Sequence, residues 1–255
     1  MYNEGKAEKK LGAIEKTLHI MNAFAVKPYA YTAKELSDGL GFSKPTVHRI
    51  LNTLEEENYV RRNYDGKYTV GYKAYQTGMI YANNTDIYME IRRVIDQIAS
   101  VTEEQVGYAV LEGTEAVSVY ESQMQDSRIR YMSGEIYSVN SGSYGKVLMT
   151  FSHTDEELCE IVPKLELKKV TPWAITDHQE LLEEYRKIRK RGYGENTDEY
   201  VDAIVAIGVP VFNRNGKLVG CIALAAMKSM KFANNKNYYL DELFKGAEEL
   251  RSVLL

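Results

Sequence analysis

Residues 41–70 read GFSKPTVHRILNTLEEENYVRRNYDGKYTV, and they carry the clearest signals of local structure in the N-terminal part of the chain. Ser43 is a favoured N-cap residue, and the proline two positions later is tolerated in a first turn, where its missing N–H would have no partner. The apolar residues that follow have helical spacing: Val47, Ile50, Leu51 and Leu54. The stretch therefore predicts an amphipathic helix from Lys44 to about Glu57.

The second half of the stretch predicts a β-hairpin. Residues 59–70 alternate between apolar and polar, and Asp65-Gly66 interrupts them with the pair most often found in tight hairpin turns. Two amphipathic segments precede the quoted stretch: residues 13–26, and a short helix that Thr32 opens in a capping box with the glutamate three residues later. Three helices followed by a hairpin predict a winged helix-turn-helix.

A winged helix-turn-helix places the N-terminal residues of its second motif helix in the DNA major groove, while flanking groups hold phosphates. Ser43, Lys44 and Thr46 lie where base edges are reached, and Arg49 is better placed for a phosphate. The cationic hairpin would lie against the DNA backbone or the minor groove. The full predicted DNA-binding set is Thr32, Ser43, Lys44, Thr46, His48, Arg49, Asn52, Arg61, Arg62 and Lys67. The alternative is a solvated helix face with a basic hairpin in a protein-interaction module.

The charge distribution separates this N-terminal part from the rest of the chain. Residues 1–75 hold 12 Lys and Arg against 9 Asp and Glu, a net charge of +3, and the remaining residues hold 20 against 27, a net charge of −7. The asymmetry favours an anion-binding module on an acidic body. The charged N-terminus lacks the apolar core of a signal peptide, and no apolar run is long enough to span a membrane. We therefore expect a cytoplasmic protein without a membrane partner, with Cys159 and Cys221 as buried, reduced thiols.

The remainder of the sequence alternates between helical and strand patterns. An apolar face over residues 71–86 predicts a linker helix. Capping boxes at Thr154 and Thr176 predict two further helices, a pair of apolar strands covers residues 203–226, and Leu240 begins a predicted last helix. These patterns predict an α+β chain with three parts: a winged helix-turn-helix over residues 1–72, a linker helix over 73–86, and a larger domain over 87–255.

Several motifs resemble one known family. KPTVHRILNTLEEENYVRRNYDGKYTVG is similar to the DNA-reading helix and wing of the IclR family of bacterial transcription regulators. SYGKVLMTF resembles the family's Gly-Lys helix start, IRKRGYGENTDEY its Gly-Tyr turn, and AIGVPVFNRNGKLVGCIALAA its paired strands. The resemblance implies a GAF-like α+β domain that binds a small-molecule effector. It also implies a transcriptional regulator, which we expect to be a repressor, that binds a double-stranded DNA operator as a homodimer or dimer of dimers.

The resemblance also implies where an effector would bind. The family's ligand loop falls on Ser141, Gly142, Ser143 and Tyr144, and its acidic position falls on Asn196. Its cysteine falls on Ala206 and its two serines on Ala223 and Ala225. Because a buried carboxylate needs hydrogen-bond donors, these replacements argue against a short oxoacid. With Tyr108 and Met132 on neighbouring elements, they favour an aromatic or apolar ligand, and the alternative is a closed, vestigial pocket.

A second class of function is an enzyme whose winged domain only dimerises. The sequence disfavours it, because no paired acid and base, nucleophile or metal set stands out. The four histidines have no companion at metal-ligand spacing, and no glycine-rich phosphate loop follows a strand. We therefore expect no catalytic residues, no metal and no cofactor.

Overall fold

A computed structural model of the chain describes residues 11–84, 86–123 and 131–254. The chain divides into two compact units, residues 1–84 and 85–255. Within the described ranges, no helix is both long enough and apolar enough to cross a bilayer.

The first unit is a winged helix-turn-helix followed by a further helix. Its elements are α1 (Ala13–Ala23), α2 (Ala33–Leu40), α3 (Lys44–Glu56), β1 (Val60–Arg62), β2 (Tyr68–Val70) and α4 (Tyr72–Asn84). Its core combines residues from all three motif helices and from the hairpin: Ile20, Phe24, Leu36, Val47, Leu51 and Val60. The helix α1 ends three residues before the predicted boundary, because the N–H groups of Ala25 and Val26 bond the carbonyls three residues back, in tight turns.

The second unit is built on a sheet that has six strands among the described residues. Its helices are α5 (Asp86–Thr102), α6 (Ser143–Ser152), α7 (Asp155–Ile161), α8 (His178–Arg191) and α9 (Met230–Arg251), with a 3-10 turn at Val162–Lys164. Its strands are β3 (Gln105–Glu112), β4 (Glu115–Glu121), β5 (Ile136–Ser138), β6 (Gly194–Thr197), β7 (Ile204–Phe212) and β8 (Leu218–Met227). The strands are antiparallel in the order β5-β4-β3-β8-β7-β6. This architecture confirms the predicted α+β class.

The two faces of the sheet bury different side chains. Helices α5 and α9 cover one face, where Ile95, Ile207 and Leu243 are fully buried. Helix α6 packs on the other face, and α8 packs against α6. On β3, Val106 and Tyr108 point towards α5 and α9, so the alternation of a strand turns its intervening residues towards α6.

A β-bulge changes this alternation on β4. Tyr120 pairs with Tyr108, but the next pair joins Ser118 to Ala109, so Val119 is an extra residue. Val119 and Tyr120 both pack on the α5 and α9 side. As a result, Ser118 and Glu121, three residues apart, share the α6 side, where the Ser118 hydroxyl donates to Glu121 Oε1 at 2.8 Å.

Three details differ from the sequence-based expectations. The last helix begins at Met230, ten residues before the predicted start, because Ser229 caps it by accepting from the N–H of Phe232. Asp177, and not Thr176, is the N-cap of α8. Cys159 is exposed, since it lies on the seven-residue α7, which buries only Leu158, whereas Cys221 is buried as expected.

Candidate functional site

The helix α3 presents a polar surface opposite its buried face. Val47, Ile50, Leu51 and Leu54 are buried in the core of the first unit. The exposed residues include most of the predicted DNA-binding set: Ser43, Lys44, His48, Arg49 and Asn52. Thr46 is half-buried, and its hydroxyl lies 2.8 Å from that of Ser43. The first two turns of α3 therefore offer hydroxyl, ammonium and guanidinium groups on the side of the helix away from the core.

Two side chains of the predicted DNA-binding set are engaged locally: Thr32 in the capping box that the sequence predicted, and Ser43 with Thr46 and not in the predicted cap hydrogen bond. Thr32 caps α2: its hydroxyl oxygen accepts from the N–H of Glu35 at 3.2 Å, and the Glu35 carboxylate accepts from the N–H of Thr32 at 2.7 Å. The Thr32 hydroxyl also donates to that carboxylate, so this group is engaged within its own helix start. Ser43 occupies the N-cap position by its backbone, but its hydroxyl pairs with Thr46 and makes no cap hydrogen bond.

The hairpin carries the predicted cationic cluster. Arg61 and Arg62 are exposed, and Lys67 is half-buried. Arg62 lies over the ring of Tyr68, 5.6 Å from its centroid, and Tyr68 exchanges two backbone hydrogen bonds with Tyr31. The hairpin is thus hydrogen-bonded to the segment between α1 and α2, so the backbone that carries its charged side chains is fixed relative to the helices of the first unit.

Sequence reasoning missed one prominent residue at the hairpin tip. Tyr64 precedes the Asp65-Gly66 turn, and its side chain is fully exposed. Its place beside the Asp65-Gly66 turn, between the cationic residues Arg62 and Lys67, was the signal that could have identified it.

The second unit encloses a cavity on the α6 side of the sheet. Its volume of about 30 Å³ is room for about two water molecules. The lining residues come from all six strands described above, from the start of α6 and from the segments beside them: Gln105, Glu121, Tyr131, Tyr137, Ser141, Gly142, Ser143, Tyr144, Asn196, Tyr200, Ala206, Ala223 and Ala225.

Eight of the ten residues expected around an effector do line this cavity: Ser141, Gly142, Ser143, Tyr144, Asn196, Ala206, Ala223 and Ala225. The other two do not. Tyr108 faces α5 and α9, where its hydroxyl donates to the carbonyl of Val219 at 2.7 Å. Met132 is exposed at 51% of its surface. The expectation for Tyr108 was wrong because alternate residues of β3 face opposite sides of the sheet, and Tyr108 faces the side away from the cavity.

A buried carboxyl group that the sequence did not single out is the main polar feature of the cavity. Glu121 is 1% exposed, and its Oε1 accepts from the hydroxyls of Ser118 and Tyr144, the latter at 3.1 Å. Burial raises the pKa of Glu121 to about 7, although these hydrogen bonds act in the opposite direction. Gly107 makes room for the group, since a Cβ there would lie 2.1 Å from Glu121 Oε2.

Four tyrosine rings pack together along the same cavity. The Tyr137 ring is in contact with the other three, at centroid distances of 5.8 Å to Tyr131, 5.4 Å to Tyr144 and 5.2 Å to Tyr200. Burial raises the pKa of Tyr131, Tyr137 and Tyr144, so their hydroxyls are protonated at neutral pH. Tyr137 and Tyr144 are buried, whereas Tyr131 and Tyr200 are half-buried and form the outer side of the cluster.

The loop at the start of α6 is held by a buried ion group. Lys146 is 0% exposed, and its Nζ lies 2.7 Å from Glu199 Oε1 and 3.7 Å from Glu184 Oε1. Burial raises the pKa of the Glu199 carboxyl. These contacts fix the backbone that carries the loop residues of the cavity.

The two units together define a class of protein. Over the described residues, no group of three His, Cys, Asp or Glu side chains is arranged to hold a metal ion. The first unit presents a polar helix face beside a cationic hairpin, and the second contains an internal, mixed polar and aromatic cavity. This is the architecture of a regulator that responds to a ligand.

Comparison with known families agrees with this class. The model described as "Bacterial transcriptional regulator IclR C-terminal" matches residues 79–252, and the "IclR helix-turn-helix domain" model matches residues 13–63. The chain belongs to the IclR family of bacterial transcriptional regulators. Members of this family are ligand-responsive regulators that bind DNA operators and small-molecule effectors.

Individual relatives support the same assignment. The HTH-type transcriptional regulator KipR of Bacillus subtilis (strain 168) is 27% identical over 241 residues, which are 94% of this chain and 95% of that protein. The crystal structure of an IclR transcriptional regulator from Alicyclobacillus acidocaldarius has a TM-score of 0.83 at 21% identity, covering 95% of this chain and 98% of that one. An IclR homolog from Microbacterium hydrocarbonoxydans, complexed with 4-hydroxybenzoate, has a TM-score of 0.77 at 17% identity, covering 94% and 98%.

Proposed function

We propose that this chain is a sequence-specific repressor in the cytoplasm, whose affinity for an operator is set by a small effector bound in the second unit. The observation that carries the proposal is the open polar face of α3 beside a cationic hairpin, in a unit with its own core. Residues 1–72 bind DNA, residues 87–255 bind the effector and assemble a homodimer or dimer of dimers, and residues 73–86 join them. A dimer reads two half-sites of a pseudo-palindrome.

The proposed docking divides the surface of the first unit by role. Ser43, Lys44 and Thr46, at the N-terminus of α3, read base edges in the major groove. Arg49, one turn further along α3, and the hairpin cations Arg61 and Lys67 hold phosphates. Tyr64 at the hairpin tip lies against the sugar-phosphate backbone. His48, Asn52 and Arg62 complete the contact surface.

Fluorescence anisotropy titration of the DNA upstream of the chain's own gene, against a scrambled duplex and at two salt concentrations, tests this proposal. We expect tight, salt-sensitive preference for the native duplex. Arg49→Ala should weaken binding to both duplexes about equally, because phosphate contacts carry no sequence information. Thr46→Ala should reduce the preference between them. If both variants bind the operator as the wild type does, the docking is wrong.

For the effector, we propose an aromatic compound and not a short oxoacid. Ala206, Ala223 and Ala225 occupy the three cavity positions where the family resemblance implies a cysteine and two serines, so these positions offer methyl groups and no hydrogen-bond donor. Four tyrosine rings supply an aromatic wall. The homolog from Microbacterium hydrocarbonoxydans is complexed with an aromatic compound, 4-hydroxybenzoate. These observations support a ring-binding site.

The size of the cavity adds a condition for binding. A cavity of about 30 Å³ is too small for a ring, since an engineered cavity that binds benzene measures about 150 Å³. The half-buried rings of Tyr131 and Tyr200 must therefore move apart when a ring enters. A thermal-shift comparison of aromatic compounds with glyoxylate and pyruvate checks the class: stabilisation by the oxoacids alone contradicts it.

A further inference from the structure

Among the described residues, the cavity contains a carboxyl group with no cationic partner. Glu121 is almost wholly buried, and the residues described as lining the cavity include no Lys, Arg or His. A second carboxyl group, that of Glu135, lies close by, because Tyr137 donates to Glu135 Oε2 at 3.2 Å. An ionised carboxylate in such surroundings is strongly destabilised unless a cation pairs with it. The cavity therefore favours a positively charged guest and disfavours an anion.

The hydrogen bonds of Glu121 leave one oxygen open to such a guest. Its Oε1 accepts from both Ser118 and Tyr144, whereas its Oε2 has a single long contact, 3.5 Å from Gln105 Nε2, among the described residues. A carboxylate oxygen has two lone pairs, so Oε2 retains acceptor capacity. Ser141 supplies an independent sign, because its buried hydroxyl also lines the cavity and makes no hydrogen bond to any described residue. Two buried polar atoms are thus available to one ligand.

The tyrosine rings suit the same kind of ligand. The face of an aromatic ring carries partial negative charge, so a cation placed over several rings is attracted to each of them. Tyr137 is surrounded at 5.2–5.8 Å by the rings of Tyr131, Tyr144 and Tyr200. Tyr144 also donates to Glu121, so the aromatic wall and the carboxylate form one continuous surface.

We propose that the effector is an organic cation, an amine attached to an aromatic ring, whose ammonium group pairs with Glu121 Oε2 and lies against the tyrosine rings. This assignment rests on the proposed role of the cavity as the effector site. The proposed ligand is aromatic and positively charged, whereas a benzoate is aromatic and negatively charged.

Three ligands of nearly equal shape test the sign of the charge: 4-hydroxybenzylamine, 4-hydroxybenzyl alcohol and 4-hydroxybenzoate. Their dissociation constants for the full chain are measured by isothermal titration calorimetry at pH 7.5. We expect the amine to bind at least tenfold more tightly than the alcohol, and the benzoate to bind most weakly. Any order in which the amine is not the tightest of the three overturns the proposal.

Variants locate the charge recognition. Glu121→Gln should raise the dissociation constant of the amine to that of the alcohol, while Glu112→Gln, at an exposed position on the neighbouring strand, should leave both unchanged. Tyr200→Phe keeps the ring and should keep most of the affinity, whereas Tyr200→Leu should lose about tenfold for the amine and much less for the alcohol. Equal amine affinity in the wild type and in folded Glu121→Gln contradicts the pairing.

Operator binding by the same preparations separates this inference from the proposed function. Anisotropy titration without any ligand tests whether the chain reads DNA. If the operator is bound but the amine is not preferred, the charge assignment alone fails. If neither duplex is bound at low salt, the proposed function fails as well.

Discussion

The position of Glu121 depends on one extra residue in β4. A regular strand would turn Ser118 and Glu121 to opposite faces, because they are three positions apart and side chains alternate. The bulge at Val119 turns both towards α6, where Tyr144 and Gly107 complete the surroundings of the carboxyl group. The side chain that we assign to charge recognition is therefore placed by backbone geometry and not by its local sequence pattern.

The buried carboxyl group makes stability depend on pH. Burial raises the pKa of Glu121 from 4.5 to about 7, so the folded chain holds a proton that the unfolded chain releases between these values. The group's contribution to stability is thus present below pH 4.5 and is lost as the pH rises through about 7. A shift of this size corresponds to roughly 3 kcal/mol. The groups near the Glu121 carboxyl that also titrate are the buried hydroxyl of Tyr144 and the carboxyl of Glu135.

We expect Glu121→Gln to be more stable relative to the wild type at pH 8 than at pH 5. Glutamine keeps the shape of the side chain and an acceptor oxygen but does not ionise, so it removes only the titration. Urea unfolding of both proteins at the two pH values measures the difference. A stability difference that is the same at both values would show that the group does not titrate as described.

The buried ion pairs of Lys146 with Glu199 and Glu184 should contribute to the stability of the fold. Lys146→Ala leaves Glu199 buried without its cation, and removing one partner of a buried pair destabilises a protein by about 3–5 kcal/mol. Lys245→Ala removes an exposed lysine that pairs with Glu242 one turn away, and it serves as the control. Chemical unfolding at pH 7 compares the two variants. Similar midpoints for both would contradict the structural role of Lys146.

At the scale of elements, the sequence was most informative where caps and turns coincide with periodicity. Helix α3 ends within one residue of its predicted end, and the hairpin turns at Asp65-Gly66, because both carry local signals. Helix α9 was predicted too short, because its first two turns contain an asparagine-rich segment, residues 234–237, without an apolar stripe. Its start depends on the Ser229 cap and on packing of Phe232 against the sheet core.

The hairpin cations Arg61 and Lys67 should contribute to DNA affinity through their charge and not through base recognition. Each cation that neutralises a phosphate adds about 0.9 to the slope of the logarithm of the binding constant against the logarithm of salt concentration. The double variant Arg61→Ala, Lys67→Ala should therefore lower that slope by about 2, with the preference for operator over scrambled DNA retained. Lys245→Ala, in the second unit, should leave the slope unchanged. An unaltered slope in the double variant would remove the hairpin from the interface.

At the scale of the whole molecule, each unit has its own hydrophobic core. The charge asymmetry and the winged helix-turn-helix pattern favoured a separate N-terminal part, and the α+β class followed from the order of helical and strand patterns. The family resemblance placed eight residues around the cavity, because strand register and the α6 loop follow the motifs. It could not supply Glu121 or the tyrosine cluster, since Tyr131, Tyr137 and Tyr200 come together only through tertiary packing.

The most direct test of the central claim is selection of bound fragments from sheared genomic DNA of the source organism, followed by sequencing. The experiment uses the full chain, with Arg49→Ala in parallel, and it works without a known operator sequence. The account predicts one enriched pseudo-palindromic motif with the wild type, whose half-site spacing fits a two-fold symmetric dimer, and strong loss of recovery with the variant. Recovery of fragments without any shared motif would contradict a sequence-reading regulator.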